Sequence, residues 1–294
     1  MKLYHCLSIA VVAIMVGTAS LVRADRSTRG ALLRSVPLGH LEPSELTYRL
    51  HNAGFDASAV RLAIDLYRLE YRTIDPAQRP ITASGLLAVP SDHARASLVV
   101  SFTPGTELAR SGAPSTSLDP EDGFVIAPAL IYASAGFVVS APDYLGMGTG
   151  PGPHPFMDVS SETTATLDML RAARQFAEQQ QRRLARPVLV TGFSQGAFPA
   201  LGLARELGDG NDVWFRLGAV APISAPYHWS QWVREAVTGI STVAPKTATV
   251  YLAYFSVAWN RLHRLYASPA DWYQALYADD IEQMMDGNHT PSRS

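Results

Sequence analysis

The residues best suited to chemistry are Gly192, Phe193, Ser194, Gln195 and Gly196, a G-x-S-x-G pentapeptide. A serine hydroxyl is a weak nucleophile unless something activates it, and a tight turn between a strand and a helix is one place where that happens. The oxygen is exposed there, and the free N–H groups at the helix start favour negative charge beside it. Such a turn presses two backbones together, so small residues must flank the serine. Gly192, Gly196, Ala197 and Ala200 meet that need. The surroundings have the required order: an apolar run at 188–191 leads in, and a helical stretch runs on to Leu207 and stops at Gly208. Pro199 interrupts that stretch, where a proline removes a helical hydrogen bond, and the sequence offers no functional reason for it.

A tetrahedral oxyanion on Ser194 needs two donors. The backbone N–H of Gln195 is one. The second is expected from Thr103-Pro104-Gly105-Thr106, which follows the strand-like run 98–102. Pro104 has no N–H, leaving Gly105 or Thr106, and Thr106 is preferred because its hydroxyl adds a contact. The serine also needs a base to take its proton and a carboxylate to orient that base. In this setting the order is serine, acid, histidine, each after a later strand. Only 100 residues follow Ser194, with one further strand-like run and three histidines. His228 starts an aromatic helical stretch, His263 reads as a solvated helix face, and His289 lies in a polar tail. Asp279, Asp280 or Asp286 with His289 would be a makeshift pair, since none follows a strand. Two more strand–helix units would need roughly 50 to 60 residues. The expectation is therefore a chain that stops before the last core strands, with the triad Asp and His not found and activity weak or absent.

The elements that must hold Ser194 read as alternating strand and helix. Residues 65–73 alternate, with Leu66, Arg68, Glu70 and Arg72 on one face and Tyr67, Leu69 and Tyr71 on the other. Asp75-Pro76 then turns the chain into a second strand ending at Val89-Pro90, a hairpin expected at a sheet edge. Short continuous apolar runs at 98–102, 137–141, 188–191 and 217–221 predict strands buried on both faces of a parallel sheet. Helical spacing covers 126–134 and 162–179, which makes the class α/β with a mostly parallel sheet. From 224 to 286 helical spacing dominates. Trp229, Trp232, Trp259 and Trp272, four of the five tryptophans, lie there with six of the twelve tyrosines. This segment reads as a cap over a pocket, or as helices that pack their aromatics onto the core. The expected organisation is a signal at 1–24, a core at 25–223, a helical cap at 224–286 and a polar tail at 287–294.

Composition narrows the classes. The net charge is −2 and the 22 arginines are scattered, so nothing points to nucleic acid. Cys6 is the one cysteine, which excludes an intramolecular disulfide, and no Cys/His spacing suits zinc. No metal and no cofactor are expected. Residues 1–24 carry Lys2, an apolar stretch too short to anchor permanently, and Val22-Arg23-Ala24 before a cleavage point. This predicts export, with the mature chain secreted or periplasmic and without a stable membrane span.

Together, Gly85-Leu86-Leu87-Ala88-Val89-Pro90, Pro104-Gly105-Thr106, Asp143-Tyr144-Leu145-Gly146-Met147-Gly148, His154-Pro155-Phe156, the Ser194 pentapeptide and Ala221-Pro222-Ile223-Ser224-Ala225-Pro226 form a recognisable series. In order and spacing they resemble the secretory-lipase-like esterases and lipases of the α/β-hydrolase fold, from about 65 to 286. The oxyanion turn departs from the fold's common pattern in lacking a His-Gly pair. The resemblance implies hydrolysis of small-molecule or lipid carboxylic esters through an acyl-enzyme on Ser194. The alternatives are a serine peptidase on the same fold, or an inactive remnant that binds an apolar ligand.

Overall fold

A computed structural model describes residues 29–92, 97–120, 125–240 and 244–289. The signal expected at 1–24 lies outside them. Seven strands form a single sheet: β1 (Leu32–Leu41), β2 (Ile64–Ile74), β3 (Pro80–Pro90), β4 (Ser97–Thr103), β5 (Val138–Pro142), β6 (Leu184–Phe193) and β7 (Arg216–Ile223). Their spatial order is β1-β2-β3-β5-β4-β6-β7. From β1 to β5 every pairing is antiparallel, and β5, β4, β6 and β7 run parallel. All four apolar runs are strands, and the arrangement is the α/β-hydrolase fold.

Side-chain alternation splits the core into two layers. On one face Leu69, Tyr71, Val99, Val138, Val188 and Val190 pack under α3 (Val159–Gln179) and α4 (Ala197–Gly208). On the other, Leu66, Val100, Phe102, Val139 and Ala141 pack under α1 (Pro43–Asn52) and α2 (Ala127–Ser134). The alternation expected in β2 is what sends Leu66 to one layer and Leu69 and Tyr71 to the other. Beyond β7 the described residues form only helices: α5 (Trp229–Thr238), α6 (Pro245–His263), α7 (Ala275–Ala278), α8 (Ile281–Met284) and a short 3-10 turn.

Two expectations about the sheet are corrected. The β2–β3 hairpin is not at an edge, because β1 pairs along β2 outside it. The strand at 217–221 is not buried on both faces: Val220 is 39% exposed and Ile223 45%, and most of β7 faces solvent. Among the described residues β7 has a neighbour on one side only, so its outer backbone groups lack a strand partner. The aromatics after β7 divide between the two roles expected of them. Tyr254 is buried, stacking on Phe156 at 4.4 Å between centroids, while Trp272 is 57% exposed.

Candidate active site

Ser194 sits where β6 ends. The chain leaves Phe193 in extended conformation, takes Ser194 at φ 53°, and makes one 3-10 turn over Ser194–Gly196 before α4 begins. A left-handed φ at a non-glycine residue costs on the order of 1 kcal/mol or more, and persists only where packing fixes it. Thr103 at the end of β4 does that fixing, its hydroxyl lying 3.0 Å from Thr191 O and 2.6 Å from Gly196 O. A Cβ on Gly192 would run into the Thr103 hydroxyl and Gly196 O, and one on Gly196 into the backbone of Thr103 and Pro104. The two glycines are required by close approach. Pro199 is only the third residue of α4, within the turn whose N–H groups lack helical acceptors in any case, so the interruption expected there does not arise.

The loop after β4 crosses above this turn. A Cβ on Gly105 would lie 3.2 Å from the Phe193 ring, and Tyr144 donates its hydroxyl to Pro104 O at 3.0 Å, holding the loop down. Gln195 is 3% exposed, and its N–H lies in the turn where no helical acceptor exists. Thr106 is half-buried on the same loop, and no hydrogen bond ties it to Ser194 or Gln195 among the described residues.

Behind Gln195 is a buried polar cluster that sequence reasoning missed. The Gln195 amide nitrogen donates to Glu162 Oε1 at 2.6 Å and lies 3.1 Å from His154 Nε2. His154 Nδ1 lies 2.9 Å from Leu145 O, and Met157 N–H donates to Glu162 Oε1 at 3.1 Å. A carbonyl accepts, so Nδ1 of His154 carries the proton and Nε2 offers its lone pair to Gln195. His154 and Glu162 stand 3.9 Å apart, yet burial favours the neutral form of each. Burial pushes the imidazole down to about 4, with the Arg110 charge adding to it and the bond to Leu145 opposing. Burial pushes the Glu162 carboxyl up to about 8 against the bonds from Gln195 and Met157. The cluster brings together residues 154, 162 and 195 from three elements. Gln195 was expected in the site for its backbone N–H and His154 stood in the His-Pro-Phe motif, but Glu162 entered the sequence reading only as the start of a helical stretch.

A second buried carboxylate, Asp143, closes the other side. It accepts from Ser115 N–H at 2.8 Å and from the hydroxyls of Ser115 and Ser84, each at 2.5 Å. Burial raises its pKa and these bonds oppose the rise.

No side chain hydrogen-bonds to the Ser194 hydroxyl among the described residues. His228 and His263 are exposed. His289 does pair with Asp286 at 3.0 Å, but in the open, with side chains 48% and 29% exposed. Burial tends to raise the Asp286 carboxyl, and bonds from Asn288 and His289 outweigh it, holding it at about 2. Residues 287–289 of the polar tail are tied to the core: Arg110 N–H donates to Gly287 O at 2.8 Å and Arg110 Nε to Asn288 Oδ1 at 3.2 Å. Among the described residues no cluster of three His, Cys, Asp or Glu side chains is placed to hold a metal ion, and no helix is long and apolar enough to cross a membrane.

Comparison with solved structures supports the fold. The chain is similar to a structure described as a hydrolase from Legionella pneumophila, with TM-score 0.79 and 26% identity over 88% of this chain and 68% of that one. It is similar to the rice cell wall degrading esterase LipA from Xanthomonas oryzae, with TM-score 0.78 and 27% identity over 89% and 67%. Candida antarctica lipase A in its closed state shares the fold, at TM-score 0.60 and 15% identity over 87% and 54%. No family model and no curated protein sequence matches. The chain is thus an esterase- or lipase-like hydrolase in fold, and its resemblance to that class of α/β-hydrolases holds in three dimensions.

Proposed function

We propose that this protein is an exported serine hydrolase of carboxylic esters, with Ser194 as nucleophile. Its oxygen attacks the ester carbonyl carbon, the alkoxide leaves with a proton, and water later cleaves the acyl-serine to acid and free hydroxyl. The N–H of Gln195 stabilises the oxyanion, joined by Thr106 from the loop above. The observation that carries this reading is Ser194 at φ 53° between β6 and α4, on a turn that two glycines and the Thr103 hydroxyl hold closed. Residues 224–286 act as the cap over the substrate, and residues 1–24 direct export.

The weak point of the machinery is proton transfer, because Asp286 and His289 pair away from the Ser194 hydroxyl. Binding and an oxyanion hole alone leave roughly 10³ to 10⁴ over water. Turnover of a short-chain acyl ester at that level is expected. Labelling by a fluorophosphonate, run beside Ser194→Ala, tests the nucleophile: the variant must lose the label, and equal labelling of both sinks the reading. Acyl esters assayed beside aminoacyl amides separate esterase from peptidase, with ester turnover expected. Ligand binding without labelling at any concentration would favour the non-catalytic alternative, for which the exposed Trp272 and Tyr227 of the helical segment are the supporting observation.

A further inference from the structure

The carboxyl of Glu162 has no counter-cation, and its Oε2 atom is buried without a hydrogen-bond partner among the described residues. An ionised oxygen in that position would lose its hydration with nothing in return, whereas a protonated one gives up far less. The other oxygen accepts from both Gln195 and Met157. Its bond to Gln195 is on the side chain of the residue whose backbone N–H must face the oxyanion.

Resting on the serine hydrolase reading above, we propose that Glu162, as an uncharged carboxylic acid, is the positioning residue of the oxyanion donor. With His154 it clamps the Gln195 carboxamide, which fixes the peptide next to a strained serine. A useful oxyanion donor must be held to about 0.5 Å, and losing one costs roughly 10² to 10³ in rate. Neutrality matters for a second reason, since a carboxylate one side chain away from the developing oxyanion would oppose it. The donor is therefore set by a proton, and the hole weakens when that proton leaves.

The groups around Glu162 give the titration its direction. Asp158, at the start of its own helix, raises the carboxyl by like charge. From the loop before α3 comes His154, from the loop after β5 Tyr144, and from α6 Tyr254, all neutral at pH 7 and the last two raised in part by the Glu162 charge. Arg110 acts on His154 and Tyr254. The carboxyl stays protonated at neutral pH and releases its proton near pH 8.

Two measurements on the full chain test this. The first is the fluorophosphonate labelling rate of wild type, Glu162→Gln and Glu162→Ala from pH 6 to 10, read as the ratio of wild type to Glu162→Gln at each pH so that reagent effects cancel. The ratio is expected to fall at least tenfold above about pH 8, with Glu162→Ala at least tenfold slower than Glu162→Gln throughout. A flat ratio, or equal rates for the two variants, overturns the proposal. The second uses ¹⁵N-glutamine labelling. The Gln195 resonances should titrate near pH 8 in wild type and stay still in Glu162→Gln, and a Gln195 signal indifferent to pH in wild type overturns the clamp. This measurement does not need a reactive serine. If wild type takes no label, the hydrolase reading fails, while the clamp is still judged by the resonances.

Discussion

On one side of β6 lies β4 and on the other β7, and the two are built from the same kind of residues. Val99 and Val100 of β4 are 0% and 3% exposed, each sealed under helices on its own face of the sheet. Val220 of β7 stands beside Val190 of β6 in register, yet it is 39% exposed where Val190 is 2%. The difference lies in what covers a strand, which depends on elements distant in sequence. It also divides the site. The β4 side supplies Thr103, Gly105 and the loop that closes over Gln195, so Ser194 and Gln195 are tightly held. On the β7 side the described residues bring no histidine to Ser194.

The sharpest way to break the held side is Gly196→Ala. Its Cβ meets backbone that cannot swing aside, so a loss of about 3 kcal/mol or more is expected, read as a drop of roughly 10 °C in Tm together with loss of fluorophosphonate labelling. The contrast between strands is tested by Val190→Ala against Val220→Ala. The first is expected to cost about 2 kcal/mol in denaturant unfolding and the second less than about 0.5. Equal losses would mean that β7 is covered in solution.

A third experiment titrates the cluster behind Gln195. His154 has its pKa held below the ordinary 6.5, so it contributes stability that is present above 6.5 and lost as pH falls through about 4. Glu162 has its pKa raised, so its contribution is full below 4.5 and lost as pH rises through about 8. Between 4.5 and 6.5 the two slopes oppose each other. The Tm of Glu162→Gln should therefore begin its acid decline near pH 6.5, whereas that of wild type declines mainly below 4.5. The smallest effect is expected from Asp286→Asn: labelling within twofold of wild type and a Tm change under about 1 °C, as suits an exposed pair. A tenfold fall in labelling would instead make that pair the base of Ser194.

The comparison of the two sides also shows what could be read from residues. Burial on both faces turns a parallel strand into a continuous apolar run, so β4, β5 and β6 were legible, as was the elbow with its glycines. β1 was not, because Leu32–Leu41 lies mostly exposed at an edge and carries Pro37 and Gly39, leaving no hydrophobic period. The exposure of β7 had no signal either, since an apolar run looks the same with or without a neighbour. Of the site, Ser194, Gln195, Gly192 and Gly196 were legible from local spacing. Glu162 was not: its burial is created by Gln195, 33 residues later, and by the loop carrying His154.

The Thr103 hydroxyl that steadies the elbow joins residues 88 and 93 positions apart. Contacts of such long sequence separation form late, because closing the intervening loop must come first. The turn at Ser194 is therefore expected to close only when the central parallel strands have docked. Pulse labelling with a fluorophosphonate during refolding would serve as a clock for that event, reporting completion of the sheet from a single side chain.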